Sequence, residues 1–147
     1  MTKGEKMELE EVKRGLENGL QLVNRLLENR EGIEIKDIET RKIISDYILR
    51  LGIPINLRGY SYLVTAISMV IKDESLLKSI TKRLYIDIAK VHKVTASGVE
   101  RGIRTVIGKS INQSDVELYK EIFRCSPTER LSNGKYIAAF VNWFNLN

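Results

Sequence analysis

Arg101 and Arg104 stand three residues apart, with Ser97 and Glu100 just before them and Thr105 just after. On a helix, Ser97, Arg101, Arg104 and Gly108 share one face, Glu100 and Thr105 flank it, and Val99, Ile103, Val106 and Ile107 form the opposite stripe. The chemistry open to such a face is recognition by hydrogen bonds. An arginine fork matches guanine O6 and N7 or a phosphate, and a glutamate can accept from cytosine N4. The bland reading of the same residues is an amphipathic helix with a solvated basic face.

Bond-making chemistry has little to draw on. His92 is the only histidine, and its spacing puts it on the inner side of a helix, where a packed or half-buried ring is expected rather than a catalytic one. Cys125 has no histidine near it in sequence, and no cluster has metal-ligand spacing. Gly108-Lys109-Ser110 imitates the end of a phosphate-binding loop, but five residues rather than four separate Gly102 from Gly108, and no strand precedes them. The expectation is a protein that is not an enzyme and that needs neither cofactor nor metal.

The elements that must carry the arginines lie between Tyr85 and Lys109, which reads as two short helices joined by a tight turn. Ile88, Ala89, His92, Val94, Val99, Ile103 and Val106 make its inner side, with Ala89 small where the helices cross. Thr95 or Ala96 opens the second helix, and Ser97 and Glu100 fall in its first turn, where oxygen and negative charge suit free N–H groups. This is the layout of a helix-turn-helix whose second helix enters the DNA major groove.

Charge is distributed to match. Residues 1–40 hold 7 Lys/Arg against 10 Asp/Glu, residues 41–110 hold 13 against 5, and residues 111–147 hold 4 against 4. The basic excess therefore falls on the segment with the helix-turn-helix, as expected for a polyanion partner. One cysteine among 147 residues fits a reducing cytosol, the charged start MTKGEKMELEE does not read as a signal peptide, and no apolar run reaches membrane-spanning length. The expected location is the cytoplasm, in association with the nucleoid.

The rest of the chain is helical in pattern. From Glu8 to Arg30, Leu9, Val12, Leu16, Leu20, Val23 and Leu27 recur with a helical mean spacing, and Leu22 and Leu26 widen the stripe. Gly32 is expected to end that helix, and residues 31–39, with Ile33, Ile35 and Ile38 interspersed, to form a connection. The stripe suits either docking on the protein's own domain or self-association. Gly19 falls where a strict two-stranded heptad would need an apolar residue. Further helices are predicted over 40–51, closed by Gly52, and over 60–72. Another comes after Asp73 with Leu76, Leu77, Ile80 and Leu84, then one over 115–123, and a last one capped by Ser132. No strand-like alternation is found, so the predicted fold class is all-α: about six helices containing the helix-turn-helix (37–147), preceded by an amphipathic helix and its connection (1–36).

The run from Leu51 to Ile107 resembles the DNA-binding effector domain of the sporulation-initiation response regulators. The pieces GIP, RGYSYL, AISMV, SITKRLY, IDIAK and TAS-VER-IR occur in family order and spacing, and a weaker similarity extends it to roughly residues 40–147. The resemblance implies an all-helical transcription regulator that binds short GC-containing boxes in double-stranded DNA as dimers or tandem copies, with the σ subunit of RNA polymerase as a further partner. The matching functional positions are Ser97, Glu100, Arg101 and Arg104. Thr105 flanks them, and Lys90, Lys93 and Lys109 would add attraction that is independent of base sequence. Gly98 stands where the family has a box-reading arginine, and Gly102 where it has an alanine. The family's receiver domain does not fit into the first 40 residues, so control by receiver phosphorylation is not expected, and the N-terminal helix becomes the candidate dimerising or regulatory element. The competing expectation is an interaction module, an antagonist of a full-length regulator that has lost specific DNA reading.

Overall fold

The computed structural model describes residues 1–147, apart from the side chains of Ile33 and Glu34. Six α-helices succeed one another: α1 (Lys3–Arg50), α2 (Arg58–Lys72), α3 (Tyr85–His92), α4 (Ala96–Ser110), α5 (Val116–Phe123) and α6 (Asn133–Leu146). No strand occurs among the described residues. The chain divides into two compact units, Met1–Glu39 and Thr40–Asn147.

The connection expected over 31–39 is helical instead. Gly32 keeps a helical conformation, and among the described residues the glycine with positive φ is Gly52, at 83°. A glycine inside a helix costs about 1 kcal/mol against alanine. The surrounding Glu, Lys and Arg favour helix strongly enough to carry α1 through it. Of the isoleucines expected there, Ile35 and Ile38 are exposed, and the side chain of Ile33 lies outside the described residues.

In the unit Thr40–Asn147, α1 buries Ile44 and Ile48, the turn after it buries Leu51, and α2 buries Leu63, Ala66, Ile67 and Val70. These pack with Ile88, with the α4 stripe Val99, Ile103, Val106 and Ile107, and with Tyr136, Ile137 and Phe140 of α6. Threonine, aspartate and serine side chains cap α4, α5 and α6. Asp115 accepts from Leu118 N and Ser132 from Lys135 N.

The helix predicted after Asp73 is replaced by two short turns, one tighter than an α-helix and one looser. Asp73 does act as a cap, accepting from Ser75 N, but the residues it caps form a 3₁₀ turn over Glu74–Lys78. Ser79 then leaves helical geometry, with φ −143° and ψ 53°, and a π turn over Ile80–Leu84 leads into α3. Leu84 N bonds Ser79 O across five residues, which widens the turn where fully buried Leu84 enters the core. Arg83 ties the arrangement back by donating to Ser75 Oγ and Asp73 Oδ2.

Candidate nucleic-acid interface

The helix-turn-helix is built from α3, a short turn and α4. Lys93 ends α3 in the left-handed region, with φ 56° and ψ 47°, and its N–H returns to Ala89 O. Val94 N bonds the same carbonyl at 3.0 Å. Thr95 then caps α4, its Oγ1 accepting from Gly98 N at 3.0 Å. The apolar stripe of α4 is buried, and Ser97, Gly98, Arg101, Arg104, Thr105 and Lys109 are exposed.

Two contacts fix how α4 is presented. The first is a close crossing with α2 at Gly59 and Gly102. A Cβ on Gly59 would come 2.0 Å from Gly102 O, and one on Gly102 would meet the Tyr62 ring at 2.9 Å. The glycine at 102 is therefore where α2 reaches α4. The second is Asn133 at the start of α6, whose Nδ2 donates to Glu100 O and to Tyr85 Oη, each at 3.0 Å. Burial pushes the Tyr85 phenol up, against the opposing pull of the Asn133 hydrogen bond. The phenol stays a neutral partner.

Four of the reading candidates divide between two grooves along α4, and Ser97 lines neither. Arg101 and Thr105 line a cleft of about 570 Å³ together with Arg58, Gly59, Tyr62 and Gly98. Glu100 and Arg104 line the other side with Arg130 and Asn133, and are joined by an ion pair of 3.5 Å. Lys93 shares a further groove with Arg58 and His92, whereas Lys90 and Lys109 are exposed but line none of these three.

Arg58 and Arg130 did not emerge from the sequence. Arg58 carried a usable signal: it opens α2, whose first turn has no acid and whose N-cap residue, Leu57, offers no side-chain bond. A cation at an uncapped N-terminus works against the helix dipole, so it asks for another role. Arg130 carried no local signal. Only the fold lays it alongside Gly108.

His92 is a structural ring, half-buried against Tyr62 with centroids 5.0 Å apart. Its Nε2 lies 2.8 Å from Thr65 Oγ1, which also accepts from Arg41 Nη2 at 3.4 Å. With one proton and two lone pairs, the Thr65 hydroxyl can accept from Arg41 and still meet Nε2 in either of its protonation states. Burial, and after it the Arg41 charge, lowers the His92 pKa from its ordinary 6.5. The unfolded chain then binds more protons than the native one below that value, so stability falls as the pH drops through it. Urea midpoints at about pH 8 and about pH 5 should show that fall, and it should shrink in His92→Phe. Equal slopes in both proteins would place the titration elsewhere.

Among the described residues, no helix is long and apolar enough to cross a membrane. The family model described as "Sporulation initiation factor Spo0A C terminal" matches residues 44–143, which contain α2 to α5, most of α6 and both grooves. That family is a helical DNA-binding effector domain and not an enzymatic one. With the capped helix-turn-helix, its buried stripe and its outward arginines in family order, the chain belongs to the Spo0A C-terminal family.

Proposed function

We propose that this chain is a sequence-specific DNA-binding transcriptional regulator acting in the cytoplasm on the nucleoid, with α4 as its reading helix. The observation that carries the reading is the exposure of Arg101 and Arg104 on a helix held by the Gly59–Gly102 crossing and by Asn133. Arg101 and Arg104 read bases or grip phosphates, Glu100 accepts from cytosine, and Ser97 and Thr105 contact the backbone beside them. Lys90, Lys93 and Lys109, joined by Arg58 and Arg130, supply attraction independent of sequence. The unit Met1–Glu39 supplies self-association, and the σ subunit of RNA polymerase is the partner through which bound DNA is read out.

A specific observation favours a second reading, an interaction module that antagonises a full-length regulator. Glu100 is already paired with Arg104, and Gly98 offers no side chain to a base. Fluorescence anisotropy with a set of single-base variants of the family box separates the two. Arg101→Ala should lose about 1–3 kcal/mol of discrimination at one base position, whereas Lys93→Ala should weaken all duplexes alike and lower the salt slope by about one. If Arg101→Ala binds every duplex as the unsubstituted protein does, α4 is not the reader.

A further inference from the structure

Within the unit Met1–Glu39, Leu9, Val12, Leu16, Leu20, Val23 and Leu27 are between 51% and 70% exposed. Leu22 and Leu26 are exposed beside them. Eight apolar side chains exposed along one face form a contiguous patch of the kind that marks an interaction site. Its spacing is 3, 4, 4, 3, 4, so that Leu9, Val12 and Leu16 recur eleven residues later as Leu20, Val23 and Leu27. An eleven-residue repeat keeps one stripe facing a partner along a nearly straight helix, without the heptad that Gly19 would break.

The two flanks of the stripe differ. One carries Lys13, Glu17, Asn24 and Glu28, and the other carries Gly15, Gly19, Leu22 and Leu26. In a parallel pair of helices each flank meets the opposite flank of the partner, which would set Leu22 and Leu26 against lysine, asparagine and glutamates. In an antiparallel pair each flank meets itself. With the two-fold axis near Gly19, Leu22 then lies opposite Gly15 of the second copy, and Leu16 opposite its Leu20. Glu8, Gly19 and Arg30 succeed one another at eleven-residue intervals along that same flank. The axis therefore also brings Glu8 of each copy to Arg30 of the other. A Cβ on Gly15 or Gly19 would have nothing within 4 Å, so neither glycine serves packing within the chain. Both make a notch that a leucine of a second copy can enter.

We infer that residues 8–30 form an antiparallel two-helix interface with a second copy of this chain, centred on Gly19 and closed at both ends by Glu8–Arg30 ion pairs. The pairing refines the self-association part of the proposed function and is independent of what the helix-turn-helix reads.

The test uses the full chain without DNA, with Cys125 replaced by serine. Glu8→Cys and Arg30→Cys proteins, mixed and oxidised, should cross-link to each other in preference to themselves. Glu8→Cys joining to itself at least as readily would mean a parallel pair, and a monomer mass by light scattering would mean no pair; either result overturns the inference. A second measurement needs no cysteine. Glu8→Arg and Arg30→Glu should each weaken the dimer several-fold in sedimentation equilibrium, and the double substitution should restore it. In a parallel pair Glu8 would face Lys13 of the partner helix, and the second substitution would rescue nothing. Because neither readout involves DNA, failure here leaves the DNA-binding proposal standing, and the reverse holds too.

Discussion

Gly59→Ala should be the most damaging single-methyl substitution in the unit Thr40–Asn147. The added carbon would sit 2.0 Å from Gly102 O and 2.8 Å from Val106 Cγ1, and the first of these is backbone that no rotamer change can move aside. α2 and α4 must separate, and with them the core layer in which Val99, Ile103 and Val106 meet Leu63 and Ala66. Overpacking of this kind costs about 3 kcal/mol or more. For a unit of this size that lowers the melting temperature by roughly 10–20 °C. Calorimetry on Gly59→Ala should show the loss, and Gly4→Ala serves as the control, since its new carbon would have nothing within 4 Å. If the two variants melt alike, α2 and α4 do not cross at Gly59. Gly102→Ala should fall between them, because its obstacle is the edge of the Tyr62 ring, which can shift.

This crossing also marks how far the sequence could be read. The stripe Val99–Ile107, the Thr95 cap and the outward arginines were legible because each depends on neighbours no more than four positions apart. The same holds for Asp115 and Ser132 at their helix starts. Gly102 was legible only as a departure from the family's alanine, since its reason is Gly59, which lies 43 residues away in sequence. Arg130 reaches one side of α4 through the packing of the segment before α6, a tertiary outcome that no local pattern encodes. Arg58, though marked by its place at the uncapped start of α2, comes to the other side only through the packing of α2. The two misplaced elements have local causes of another kind. Over 31–39 a single glycine is outweighed by the helix formers around it. Over 74–84 the Asp73–Ser75–Arg83 cluster competes with regular helix geometry through side-chain bonds.

Gly98→Arg should raise affinity for the family's box. Gly98 lies exposed in the first turn of α4, and a Cβ there would meet only Thr95 Oγ1, at 3.0 Å. The threonine side chain needs to give by a few tenths of an ångström, while the Gly98 N–H that it caps stays in place. Replacing a helical glycine contributes about 0.5–1 kcal/mol, and a cation in the first turn offsets part of this through the helix dipole. Folding stability should therefore change little. Binding should change much more, since the introduced guanidinium would join Arg101 on the rim of the same groove. If it reaches a guanine edge, the gain is about 1–3 kcal/mol, roughly tenfold to a hundredfold, on the box and absent from a scrambled duplex. If it reaches a phosphate, both duplexes gain alike and the salt slope steepens by about one. The same anisotropy titration at two salt concentrations distinguishes these results. No gain on either duplex would mean that the first turn of α4 stays out of the groove. Arg101, one helical turn further on and lining the same cleft, would then lose its assignment as a base reader, and the antagonist reading would gain.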